Sequence, residues 1–155
     1  MTPRFLLDGM LGSLARWLRI GGYDAEYLKD TPDDDLMERA VREDRILLTR
    51  DEALVKRTRK RGVESIYIKN EGDEAALAQL TAELGITFYP TLARCPKCNH
   101  TVEKIPKAEV ADRVPGGTYN SVEDFWACPK CGSVYWRGSH WPKIVETLGG
   151  TGRGA

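Results

Sequence analysis

Over its first ninety residues the chain alternates short apolar runs with longer stretches whose apolar positions recur every three to four residues. Phe5-Leu6-Leu7 reads as a strand. In the segment from Met10 to Ile20, Leu11, Leu14, Ala15 and Leu18 fall at i, i+3, i+4 and i+7, one apolar stripe of a helix that Gly21-Gly22 stops. Glu26-Tyr27-Leu28 is a second, weaker strand. Thr31-Pro32-Asp33-Asp34 has the composition of a helix start, with Thr at the cap, Pro in the first turn and acids facing the positive end of the dipole. That helix runs to about Glu43. Arg45 to Thr49 is a strand, Asp51 to Arg61 a helix ended by Gly62, and Glu64 to Lys69 a further strand. Asp73 to Leu84 is a helix ended by Gly85, and Thr87-Phe88-Tyr89 reads as a last strand. Strand alternating with helix at this spacing predicts right-handed βαβ units and an α/β fold: a parallel sheet sandwiched by helices.

Composition shifts near Tyr89-Pro90. Beyond it lie all four cysteines, both histidines, three of the four tryptophans and five of the eight prolines. Residues 1–90 are therefore expected to form the α/β domain, 91–148 a small second unit, and the Gly-rich 149–155 a flexible tail. Cys95-Pro-Lys-Cys98 and Cys128-Pro-Lys-Cys131 are two C-x-x-C turns, each of which sets two sulfurs on one side of a tight loop. Two such loops close a tetrahedron around zinc, and four thiolates leave no open position, so the expected zinc is structural. Disulfides are the competing pairing, disfavoured where cytoplasmic thiols stay reduced. A thioredoxin-type motif needs one C-x-x-C near a βαβ unit, not two after it. His100 and His140 read as ordinary polar residues. Tyr135, Trp136 and Trp141 suit a small core over the zinc loops, or stacking on bases. Lys97, Lys130, Arg137 and Lys143 give the segment a mild basic character that suits a phosphate backbone as well as solvent.

The 155 residues are 41% hydrophobic and 30% charged, the balance of a globular protein, with no apolar run long enough for a membrane span. The arginine-containing start is interrupted by Asp8 and lacks a small-residue cleavage site, so it does not read as a targeting peptide and a cytoplasmic location is the default expectation. Net charge is zero, divided as −3 over residues 1–90 and +3 over 91–155. Binding of nucleic acid through bulk charge is thereby excluded, and any such contact must use local patches.

Asp8 follows the first strand, Asp33 opens the helix after the second, and Asp51 follows the third. All three positions lie beyond the carboxyl ends of parallel strands, where such sheets bind ligands. Three converging carboxylates repel one another unless a cation neutralises them, and oxygen ligands with no His or Cys nearby suit Mg²⁺ or Mn²⁺. Carboxylate-held metals of this kind attack phosphodiesters. Each aspartate also has a plainer role: Asp33, Asp34 and Asp35 favour a helix N-terminus, Asp51 an N-cap and Asp8 a turn. Residues 1–94 contain no histidine and no cysteine, which excludes imidazole and thiol chemistry from the larger domain. No phosphate-binding glycine loop of the P-loop or dinucleotide type occurs.

FLLDGMLGSLARWLRIGGYD, PDDDLMERA, RILLTRD, RCPKCNHTVE and FWACPKCGSVYWRGSHW together resemble the Mutator-seven C-terminal RNase domain, a PIN-like ribonuclease family whose members carry a zinc ribbon. The likeness extends over roughly Arg4 to Leu148. It implies a PIN-like sheet followed by a four-cysteine zinc ribbon, and an endoribonuclease that hydrolyses RNA phosphodiester bonds with Mg²⁺ or Mn²⁺. Asp8 matches the acid that ends strand one. Asp33, seven residues before Ala40, matches the acid that opens a helix, and Thr49-Arg50-Asp51 matches the T-x-D motif. The PIN pattern's further acid, in a helix between the first two, has no counterpart, since the chain between Asp8 and Asp33 is too short for that helix. Asp34, Asp35 or Asp73 is a substitute. Arg16, Arg19 and Arg50 are expected to hold phosphates, Arg16 and Arg19 because LARWLR belongs to the family's motif. The basic run Lys56 to Arg61 suits a helix C-terminus first and RNA guidance second. The alternatives are a non-catalytic RNA-binding or protein-interaction adaptor, and a toxin role of the kind some PIN domains have, with an antitoxin-like partner.

Overall fold

A computed structural model describes residues 2–69 and 71–152 of the chain, the last four of them as backbone alone. Four strands, β1 (Phe5–Asp8), β2 (Ala25–Leu28), β3 (Ile46–Thr49) and β4 (Ser65–Tyr67), form one parallel sheet in the order β2-β1-β3-β4. The connecting helices are α1 (Gly12–Ile20), α2 (Asp33–Arg42) and α3 (Glu52–Arg61), and α4 (Asp73–Leu84) follows β4. Side chains alternate across a strand, and here both faces are apolar because both are covered. Phe5 and Leu7 of β1, with Ile46 and Leu48 of β3, meet Leu14, Ala15 and Leu18 of α1 and Leu77 and Leu80 of α4. Leu6 and Leu47 point the other way, onto Leu36, Met37 and Ala40 of α2 and Leu54 of α3.

Helix ends follow local chemistry. Gly62 and Gly85 close α3 and α4 at φ of 68° and 66°, left-handed values that cost glycine no Cβ clash. Asp51 caps α3, its side chain accepting from the Ala53 and Leu54 N–H groups. Thr31 does not cap α2. Its hydroxyl turns back to the Lys29 carbonyl, Pro32 occupies the cap, and the three acids of the first turn carry the dipole interaction.

Thr87-Phe88-Tyr89, expected as a strand, joins no sheet. Phe88 is buried, with its ring edge-on to Tyr23 at 5.3 Å, and Tyr23 in turn packs on Phe5 at 5.8 Å. The Thr91 N–H then donates to the Ile20 carbonyl at the end of α1. The apolar signal of this segment is that of a core plug, and its backbone is satisfied by a helix end instead of a ladder.

The C-terminal part contains a three-stranded antiparallel sheet, β5 (Glu103–Ile105), β6 (Phe125–Ala127) and β7 (Val134–Tyr135). A 3₁₀ turn (Lys107–Val110) and the short helix α5 (Gly116–Ser121) sit between β5 and β6. The last helix, α6 (Trp141–Gly152), leaves this ribbon and returns to α4, burying Leu148 in the main core. Full burial of a leucine contributes roughly 1.5–3 kcal/mol, so this helix belongs energetically to the α/β layer. Of the expected tail, residues 153–155 lie outside the described residues.

The ribbon is fastened to the sheet by polar groups. Arg19 is buried at the end of α1; its Nε donates to the Ala25 carbonyl at 2.8 Å and its Nη1 to the Pro96 carbonyl at 2.9 Å. Asp24, just before β2, meets Arg45 Nη1 at 2.7 Å and Arg94 Nη2 at 3.8 Å, and accepts from Asn99 Nδ2 at 2.7 Å. Burial works against the Asp24 carboxylate, but the hydrogen bonds of Arg45 and Asn99 and the charges of Arg45 and Arg94 outweigh it and bring its pKa down to about 2.

Candidate functional site

Both C-x-x-C turns fold alike. The Cys95 N–H donates to the His100 carbonyl and the Asn99 N–H to the Cys95 carbonyl. In the second turn the Cys128 N–H donates to the Ser133 carbonyl and the Gly132 N–H to the Cys128 carbonyl. The residue after the second cysteine is left-handed in each, Asn99 at φ 67° and Gly132 at φ 78°, positions that asparagine and glycine tolerate best. The four sulfurs converge: Cys95 and Cys131 Sγ are 3.7 Å apart, Cys98 and Cys128 Sγ 3.3 Å, and all four lie within 4.8 Å of one another. A tetrahedron with zinc–sulfur bonds of about 2.3 Å has edges of about 3.8 Å. Sulfur donors at this spacing could hold a metal such as zinc. The Tyr135 hydroxyl stands 2.9 Å from Cys95 Sγ, placed to donate to a thiolate.

The second group lies at the carboxyl edge of the parallel sheet. Asp8 ends β1, Asp33 opens α2 after β2, and Asp51 caps α3 after β3. Thr49 joins two of them: its buried hydroxyl donates to Asp8 Oδ2 at 3.0 Å and accepts from the Asp51 N–H at 3.0 Å. The Asp8 carboxyl has its pKa raised, first by burial and then by the negative charges of Asp33 and Asp51, with the Thr49 hydrogen bond pulling the other way. Three like charges thus act on one small region. Among the described residues, however, the cysteines alone form a group of candidate metal ligands within 4.8 Å. Each aspartate turns to its own donor, Asp8 to Thr49, Asp51 to the first turn of α3 and Asp33 to Arg57 Nη1 at 3.1 Å.

The other expected residues divide. Asp34 is exposed and pairs with Arg57 and, at 2.9 Å, with Arg61; these pairs lower its pKa. Asp35 is exposed on the outer side of α2, lining a hollow with Leu28 and Thr31. Asp73, in the first turn of α4, accepts from the Ser13 hydroxyl of α1. Arg50 lies 3.9 Å from Glu71. Arg16 is exposed on α1, with no ion pair among the described residues. Arg19 is not at the acidic edge: its buried guanidinium donates to backbone carbonyls of β2 and the first cysteine turn.

Asn99, Asp24 and Arg57 also hold these groups in place. Arg57 was visible only as one of a basic run; spacing along α3 does not reveal that this member reaches back to Asp33 and Asp34. Asn99 had a signal, since the position after a C-x-x-C turn favours Asn or Gly. Its partners in β2 had none.

The described residues include no helix long and apolar enough to cross a membrane. The family model described as the Mut7-C RNAse domain matches residues 3–148. Neither the curated proteins nor the solved structures gave a match.

Proposed function

The chain belongs to the Mut7-C RNAse domain family, and on that premise we propose that it is a PIN-like, divalent-metal-dependent endoribonuclease with a structural zinc ribbon. Asp8, Asp33 and Asp51 would hold Mg²⁺ or Mn²⁺, and RNA is the substrate. The observation that carries this reading is the environment of Asp8: a half-buried carboxyl at the end of β1, within reach of the charges of Asp33 and Asp51 and with no histidine or cysteine at that edge. Hard oxygen donors of this kind fit a hard divalent cation, which would relieve the repulsion among them.

When bound, such a cation supplies an activated water and neutralises charge developing on phosphate. The chain's own residues do the positioning. Thr49 fixes the Asp8 carboxylate by its hydroxyl and fixes the Asp51 backbone by the same oxygen. Hydrolysis joins the water oxygen to phosphorus and breaks the bond from phosphorus to the leaving ribose oxygen, which takes up a proton as the attacking water gives one up. Arg50, directly before Asp51, would meet an RNA phosphate near this edge.

A second reading draws on Arg57, which already neutralises Asp33 and Asp34: a module that binds RNA without cutting it. Incubating the full chain with RNA and Mn²⁺ separates the two. Cleavage that is lost in Asp8→Asn and Asp51→Asn supports the nuclease. Salt-sensitive binding with no cleavage contradicts it, and equal cutting by all three proteins contradicts the assignment of the site to these aspartates.

A further inference from the structure

Two hollows adjoin on the outer side of α1, where the first cysteine turn and the start of α6 lean over it. They share Arg16, Ile20 and Pro96. The first, of about 320 Å³, is walled by Tyr135, Trp136, His140 and Trp141. The second, of about 740 Å³, is open and runs past Trp17 and Lys97 to Tyr27 and Gly12. Tyr27 marks where this path reaches the acidic edge, since its hydroxyl donates to the carbonyl of Gly9, next to Asp8.

Among the described residues, the lining of both hollows contains no aspartate or glutamate. Of its cations, Arg19 and Arg94 are engaged in holding the ribbon. Arg16 and Lys97 are exposed and have no ion pair among the described residues. The aromatic wall is braced from behind. Arg137 lies over the rings of Trp126 and Trp141 at 5.4 and 5.3 Å, and Trp136 tilts against Phe125 at 6.1 Å. Gly138 allows this packing, because a Cβ there would sit 2.7 Å from Trp136 Nε1. An apolar aromatic pocket of this volume beside free cations matches an anion that also carries flat π-faces.

We propose that this groove binds a single-stranded stretch of RNA, one unpaired base against Trp136 and Trp141 and backbone phosphates on Arg16 and Lys97, and delivers the strand to the edge at Asp8. It rests on the nuclease reading for its direction towards Asp8, and on the groove alone for its binding. A paired base has its edges occupied and its faces stacked, so a duplex cannot enter the aromatic pocket. The structure therefore assigns unpaired RNA as the substrate class.

Fluorescence anisotropy with a labelled ten-nucleotide oligouridylate and an RNA duplex of equal length tests this. The full zinc-loaded chain carries Asp8→Asn, so that binding is read without cutting. The single strand should bind about tenfold more tightly than the duplex. Arg16→Glu with Lys97→Glu should weaken single-strand binding by about tenfold or more and lower the slope of log K against log salt by about 1.4, two phosphate contacts at about 0.7 each. Trp141→Ala should lose about tenfold, and Trp141→Phe should keep most of the affinity because stacking survives. Zinc content and melting midpoint confirm that the variants fold. Unchanged binding in the double charge variant, or a duplex bound as tightly as the single strand, overturns the proposal. If the groove variants lose binding but the wild-type chain never cuts RNA, the nuclease reading falls and the groove stands. If the wild-type chain cuts and the Arg16/Lys97 variant has the same KM, the groove falls and the nuclease stands.

Discussion

Asn99 Nδ2 donates to Asp24 Oδ1 across 2.7 Å, joining the tip of the first cysteine turn to a residue 75 positions earlier at the foot of β2. The same amide donates to Glu26 at 3.0 Å and accepts from the Ala25 N–H at 3.1 Å, in a nearly buried position. Asn99→Gly keeps the left-handed backbone and loses the side-chain bonds; it should cost about 2 kcal/mol. Asn99→Ala adds strain at positive φ and should cost about 1 kcal/mol more. Urea unfolding of the zinc-loaded protein, followed by tryptophan fluorescence, reads both.

Asp24 carries its own pH signature. Its folded pKa, about 2, lies below the ordinary 3.8. A depressed carboxylate contributes stability that is complete above the unfolded value and lost as pH falls through the folded one. The contribution at neutral pH is of the order of 2 kcal/mol. Its window, roughly pH 4 to 2, lies where protonated cysteines no longer hold zinc. Asp24→Asn at pH 7 therefore isolates it, and the unfolding midpoint should drop accordingly.

Arg19 separates a structural from a substrate-binding arginine. Arg19→Lys removes the fork that reaches the Ala25 and Pro96 carbonyls together. Loss of these charged hydrogen bonds should cost roughly 2 kcal/mol. The salt dependence of RNA binding should stay as in the wild type, which a lost phosphate contact would change.

Asp8 and Thr49 predict a pH effect of opposite sign to that of Asp24. Burial and the neighbouring acids raise the Asp8 pKa, so Mn²⁺ binding should fade with acidification sooner than an ordinary aspartate would allow. Thr49→Val removes the hydrogen bond that lowers this pKa, moves the loss to higher pH and weakens binding by about fivefold at neutrality, roughly 1 kcal/mol. Thr49→Ser should restore it. Because the ionised Asp8 is held above its ordinary pKa, its charge opposes folding, increasingly as pH rises through that pKa. Asp8→Asn should therefore melt later than the wild type in the absence of divalent cations. At 100 Kd of Mn²⁺ the wild type should gain about 2.7 kcal/mol and the variant nothing.

The two central parallel strands, β1 and β3, are legible in the sequence because both their faces are covered, which turns Phe5-Leu6-Leu7 and Ile46-Leu47-Leu48 into unbroken apolar runs bounded by polar residues. The paired C-x-x-C spacing is legible for a different reason: the metal's geometry dictates it. Thr87–Tyr89 misleads because a three-residue apolar run has no period, and Phe88 is buried by Tyr23 and Gly21 instead of by a neighbouring strand. The return of α6 onto α4 and the engagement of Arg19, Asp24 and Asn99 are tertiary events between distant segments. No local pattern encodes them. The positions of Asp8, Asp33 and Asp51 follow from topology, whereas the hold of Arg57 on Asp33 depends on how α3 lies against α2.

The cation proposed at Asp8, Asp33 and Asp51 is tested most directly by calorimetric titration of Mn²⁺ into the zinc-loaded full chain and into Asp51→Asn. The wild type should bind Mn²⁺ saturably, and the variant should show only the heat of dilution. Equal binding by both proteins, or none by the wild type, would contradict a metal centre at this edge of the sheet.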